Sequence, residues 1–94
     1  MIVLQIEHAV QNFEGWKKVF DSDPIGRKNA GVRRYRILQP VSDPNHVIVD
    51  LEFDTVKEAE EALSALQKLW AKVEGKVMMD AKSRILDVRE AAEL

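Results

Sequence analysis

The hydrophobic period of this chain switches between two and 3.6 along its length, and that switching restricts the fold more than any single motif. Over residues 2–8, Ile2, Leu4, Ile6 and His8 alternate with Val3, Gln5 and Glu7, which predicts a half-buried strand. At Asn12 the period changes. Its side chain can accept from the free amides of a first helical turn. Phe13, Trp16, Val19 and Phe20 then recur at helical spacing, with Glu14, Lys17 and Lys18 on the wet side. Gly15 weakens that helix by about 1 kcal/mol relative to alanine. The helix stops near Asp21. Asp23-Pro24 reads as a fresh start, with aspartate as cap and proline at the first helical position. Gly31 would end this short second piece in a left-handed conformation.

The period of two returns over residues 32–39, with Val32, Arg34, Arg36 and Leu38 on one face and Arg33, Tyr35, Ile37 and Gln39 on the other. Residues 40–45 carry turn chemistry, including two prolines that cannot donate to a ladder. Residues 46–53 form the strongest predicted strand, turning Val47, Val49, Leu51 and Phe53 inward and Ile48, Asp50 and Glu52 outward. Residues 55–74 follow as a helix. Thr55 and Glu58 form a capping box, and Val56, Ala59, Leu63, Leu66, Trp70 and Val73 make an apolar stripe that Gly75 stops. A last strand over residues 83–89 carries Ile85, Leu86 and Val88, and residues 90–94 read as a frayed tail.

The order is therefore βαββαβ. Short connections and right-handed crossovers fold it into an α+β ferredoxin-like plait, a four-stranded antiparallel sheet with both helices on one face. Residues 1–94 leave room for one domain, and the 46% hydrophobic content is enough for its core. A core this small gains from self-association, so a homodimer is expected. The net charge of −2 gives no electrostatic reason to expect nucleic acid or an anionic membrane as partner. The absence of cysteine excludes a disulfide framework and a thiol nucleophile. Residues 1–5 lack the basic start and long apolar run of a signal peptide, and no apolar run approaches the roughly 20 residues that span a bilayer. A cytoplasmic protein is expected.

Three places can carry function. The uncovered sheet face brings Arg34 and Arg36 beside Asp50 and Glu52. It is either a self-neutralised solvated surface or a dimer seam with ions paired out of water. It shows no aromatic stacking platform for RNA, because Tyr35 and Phe53 sit on the helix side. The second place is a rim. His8 and His46 meet at one edge of the sheet, within reach of Asn12, Trp16, Trp70, Met78 and Met79. His8 points to the helix side, where it can act as a base or hydrogen-bond donor in an apolar cleft, or simply be a solvated or backbone-bonded strand-end histidine. Arg27 is the third. Its guanidinium can fork onto a carboxylate or pair within the chain with Asp21 or Asp23. Two histidines without HxxxH or CxxC spacing fall short of a metal ligand set, and no serine sits in a nucleophile elbow. No metal and no cofactor are expected.

Several short patterns carry a resemblance: His8-x-Val10, Asn12-Phe13-x-x-Trp16, Phe20-Asp21, Asp23-Pro24-x-Gly26-Arg27 and Gly31-Val32-Arg33-x-Tyr35-Arg36. With the element order, they make the chain similar to the dimeric α/β-barrel superfamily, which includes antibiotic-biosynthesis-monooxygenase-like domains. The resemblance implies a homodimer whose two sheets form a barrel, with a small-molecule cleft between helices and sheet in each subunit. Some relatives oxidise polycyclic phenols without a cofactor, some degrade haem, and others isomerise or dehydrate small substrates. Asn12, Trp16 and Trp70 match the asparagine–tryptophan–histidine set of the haem-degrading branch in residue type and not in spacing. The expected site has His8 as the catalytic or anchoring group, Trp16 and Trp70 as walls, and Asn12, Arg27 and Tyr35 as substrate-binding groups. The alternative is a non-catalytic interaction or regulatory module acting through its sheet face.

Overall fold

The computed structural model describes residues 1–73 and 79–94. Its elements run β1 (Ile2–Ala9), α1 (Phe13–Asp21), β2 (Arg34–Leu38), β3 (His46–Phe53), α2 (Val56–Val73) and β4 (Met79–Asp87). The strands form one antiparallel sheet in the order β2-β3-β1-β4, the ferredoxin-like arrangement that the alternating period predicts. Among the described residues no helix is long and apolar enough to cross a membrane.

Strand alternation decides what is covered. Leu4 and Ile6 on β1 and Val47, Val49, Leu51 and Phe53 on β3 are buried beneath the helices. From α1 Trp16 joins this core, and from α2 Ala59 and Ala62, with Leu63, Leu66 and Trp70 packed against it. Burying each large side chain contributes roughly 1.5–3 kcal/mol. The α2 stripe differs from expectation at its start. Val56 is exposed in the first turn, while Ala62 is buried. Small residues at 59 and 62 let the helix lie close on the sheet. The Gly75 stop and the approach of Met78 fall outside the described residues, as do the side chains of Val73 and Met79.

The Asn12 cap forms, and the Thr55 capping box forms in its first half, with Glu58 taking the Thr55 hydroxyl in place of the backbone amide. Asn12 is extended, and its Oδ1 accepts the Gly15 N–H at 2.6 Å. Thr55 Oγ1 accepts the Glu58 N–H at 3.2 Å and donates to Glu58 Oε1 at 3.2 Å. The second helical piece after Pro24 does not form. Asp23 lies in the left-handed region (φ 54°), and Gly26 follows at φ 66°, so no helical run of dihedrals can start there. Successive turns replace it: Asp23 O accepts from Gly26 N, Gly26 O from Ala30 N, and Arg27 O from Val32 N. Asp23 tolerates its conformation because its Oδ1 accepts the Arg27 N–H at 2.8 Å. Gly31 is left-handed as expected, at φ 98°.

β4 starts at Met79, before the predicted residue 83. It is an edge strand, and backbone pairing to β1 extends it over the weakly apolar alternation of Met79, Asp80, Ala81 and Lys82. The β1–β4 register slips between Glu7 and Ala9, where two steps on β1 oppose three on β4, from Lys82 to Met79. This β-bulge lies opposite His8. Bulges of this kind re-aim side chains and end pairing near functional sites.

Candidate functional site

His8 is the penultimate residue of β1, faces the helices and is 3% exposed. Its Nδ1 lies 3.1 Å from the Ala9 carbonyl oxygen. A neutral imidazole donates through one nitrogen and accepts through the other. The carbonyl therefore selects the Nδ1–H tautomer and leaves Nε2 as the acceptor. Burial pushes the His8 pKa below its ordinary 6.5, the Ala9 hydrogen bond opposes that shift, and the nearby His46 charge adds to it. His8 is thus held neutral, in the form a base requires. His8 lines the space between the sheet and the helices.

That space is a cavity of about 70 Å³ between the sheet and both helices. Ile6, His8, Val49 and Leu51 form its floor, Trp16 and Phe20 one wall, and Leu66 and Trp70 the other. An aromatic row starts along it and continues into a neighbouring groove. The His8 and Trp16 ring centroids are 5.9 Å apart, Trp16 stacks on Phe20 at 5.1 Å, and Phe20 meets the edge of Tyr35 at 5.0 Å. The rim beside His8 is tied down by Asn45, whose carbonyl accepts the Val10 N–H at 2.8 Å and whose Nδ2 donates to Gln11 O at 2.8 Å.

Arg27 closes the far end. Its side chain is 17% exposed, Nη1 donates to Phe20 O at 2.7 Å, and Nε lies 3.5 Å from Asp23 Oδ1. The guanidinium carbon sits 4.0 Å over the Phe20 ring and 5.1 Å over Tyr35. Of the two intrachain acids considered from sequence, Asp23 takes this contact, and Asp21 pairs with Lys17 at 2.7 Å.

The predicted site residues therefore separate. His8, Trp16, Trp70 and Arg27 line one cavity. Tyr35 does not. It is 44% exposed and lines a neighbouring surface groove with Arg27. Asn12 does not line the cavity either, and its carbonyl is spent on the helix cap. His46 shares the rim but points to the opposite face, with Nε2 3.4 Å from Glu7 Oε2. Phe20, Ile25 and Leu69 line the cavity although the sequence reading assigned them no role there. The helical spacing of Phe20 and the position of Leu69 three residues after Leu66 were the available signals.

The uncovered face carries a second arrangement. Arg36 Nη2 donates to Asp50 Oδ2 at 2.8 Å, Gln5 Nε2 donates to Asp50 Oδ1 at 2.9 Å, and Arg84 Nη2 donates to Gln5 Oε1 at 2.7 Å. One polar row thus crosses all four strands, along the direct register pairs 36–50, 50–5 and 5–84. Arg34 pairs with Glu52 at 2.7 Å beside it. The opposition of Arg34 and Arg36 to Glu52 and Asp50 is as expected. Gln5 and Arg84 complete the row.

No protein-family model matches the sequence. No curated protein matches it either. Solved structures do match over nearly the whole chain. SnoaB, a cofactor-independent oxygenase from Streptomyces nogalater, superposes with a TM-score of 0.73 at 13% identity, covering 96% of this chain and 94% of that one. A variant of MhuD with two manganese protoporphyrin IX molecules bound per active site gives 0.67 at 18% identity, covering 99% of each chain. A dimeric ferredoxin-like protein from an uncultured marine organism gives 0.62 at 14% identity, covering 99% of this chain and 100% of that one. The chain has the fold of the antibiotic-biosynthesis-monooxygenase-like, ferredoxin-like proteins.

Proposed function

We propose that the protein binds a small aromatic or polyketide-like molecule in the cavity beside His8, and that His8 acts on it as an acid–base group. The observation that carries this reading is an aromatic-walled cavity reached by a buried, neutral imidazole. A phenol or enol placed against Nε2 would give up its proton there, forming an imidazolium and an electron-rich oxyanion. Such an anion can react with dioxygen without a cofactor, and SnoaB, which shares the fold, is a cofactor-independent oxygenase. The empty cavity of about 70 Å³ is smaller than the roughly 300–1,000 Å³ of typical ligand sites. Binding therefore requires Phe20, Arg27 or Trp70 to move. A thermal-shift screen against phenols, quinones and haem tests the reading. We expect a phenol or quinone to raise the melting temperature of the native protein and to do so less in His8→Ala. Failure of every compound to bind would overturn it.

The same chain is proposed to act as a homodimer through its uncovered sheet face, in the cytoplasm, where a cysteine-free chain is at home. A row of paired charges with no helix over it supports a seam between two sheets, and one protein of this fold is itself a dimer. That row also favours the second reading, a non-catalytic interaction or regulatory module working through this face. An unliganded cavity in every screen together with an intact dimer would support it.

A further inference from the structure

We infer that the ligand of this site is an anion, a small aromatic or enolic acid whose ring enters the cavity and whose carboxylate or comparable oxyanion sits on Arg27. The inference rests on the cavity being a ligand site and adds the charge of what it holds.

Among the described residues Arg27 is the one cation lining both the cavity and the adjoining groove of about 630 Å³, which also contains Asp23, Lys28, Arg33, Arg34 and Tyr35. A guanidinium has five N–H donors in a rigid fork. Here Nη1 reaches Phe20 O, and Nε approaches Asp23 at 3.5 Å, beyond good hydrogen-bond length. Among the described residues the remaining donors have no protein acceptor, although the side chain is four-fifths buried. Arg27 lines both the cavity and the groove, where a ligand can approach its guanidinium. Two aromatic rings hold the fork in place, Phe20 at 4.0 Å and Tyr35 at 5.1 Å. A pre-oriented fork with spare donors is suited to a planar oxyanion.

The neighbouring charges nearly balance. Arg33 and Arg34 are engaged by Asp54 and Glu52, and the Glu58 carboxylate lies beside Gly31 at the groove, so the preference for an anion rests on the Arg27 fork and not on the net charge of the groove. The cavity alone is too small for a substituted ring, so the ring enters only with the movement of Phe20, Arg27 or Trp70 that binding requires, and the head of a ligand lying across Arg27 then reaches the groove.

Matched pairs of probes test this on the native protein: benzoate against benzamide and salicylate against salicylamide, by calorimetry and by the fluorescence of Trp16 and Trp70. The acids should bind at least roughly tenfold more tightly than the amides, the scale of a charge-assisted hydrogen bond. Arg27→Gln should abolish that preference while amide binding persists. Arg27→Lys should keep part of it, because charge survives and the fork does not. Equal binding of acids and amides to the native protein would overturn the anion inference and leave the cavity as an aromatic site. Binding of neither class would overturn both.

Discussion

Arg36 Nη2 lies 2.8 Å from Asp50 Oδ2, and the two side chains differ widely in exposure, 68% for the arginine and 8% for the aspartate. Asp50 is covered by its neighbours on the sheet and accepts from both Arg36 and Gln5. The arginine stands above it in water. A second sheet laid on this face would dehydrate Arg36 and strengthen the pair, since the same charges interact more strongly away from solvent. Ion pairs of this kind set register more than they add net stability.

Arg36→Glu would place a second carboxylate against Asp50. In a seam of paired sheets this is expected to weaken the dimer by about 2–5 kcal/mol. Light scattering at micromolar concentration should then show a monomer. A variant that stays dimeric would remove these charges from the interface.

His8 predicts a pH dependence with a definite sign. Because burial lowers its pKa below 6.5, the folded protein binds this proton more weakly than the unfolded chain. The stability it contributes is complete above 6.5 and declines as the pH falls from there through the folded pKa. Urea unfolding of the native protein should lose free energy on acidification through that window. His8→Asn, which cannot titrate there, should show a flatter profile, and parallel profiles would contradict the assignment.

Gly31 should resist substitution for two separable reasons. Its φ of 98° is strained for any L side chain, and an added Cβ would stand 2.5 Å from Glu58 Oε2. Gly31→Ala is expected to cost about 1–3 kcal/mol. Pairing it with Glu58→Ala should recover the steric part and leave the backbone part, which a double-mutant cycle reads directly. Full recovery would show that the dihedral carries no penalty.

The two tryptophans should differ in what they hold. Trp16 is buried and stacked on Phe20, so Trp16→Ala is expected to cost about 3–5 kcal/mol of folding stability. Trp70 is only half-buried in the single chain, and Trp70→Ala should cost about 1–3 kcal/mol while enlarging the cavity. Chemical denaturation separates the two. Equal losses would show that Trp70 is covered by something beyond this chain.

The sequence by itself determined the element order, the faces of β1, β3 and residues 34–38 of β2, the residues that cap both helices and the opposition of arginines to acids on the open face, whereas Val32, expected beside Arg34, packs against the core. Each follows from local chemistry: period, capping side chains and the two-residue repeat that assigns a strand residue to a face. Only the tertiary structure decided the rest. The start of β4 depends on pairing to β1, and the short Met79-Asp80-Ala81-Lys82 alternation carries too little apolar bulk to announce it without that partner. The turn path after Pro24 depends on Asp23 and Gly26 adopting left-handed dihedrals together, and a cap-and-proline pattern does not reveal that. Asn12 and Tyr35 left the cavity because one is occupied by its own helix and the other faces the groove. Arg27 entered it because that turn path carries its guanidinium over Phe20 and against the cavity that His8 reaches from the other end. Residues far apart in the chain meet there through packing, and packing is a property that residue types and spacing do not encode one at a time.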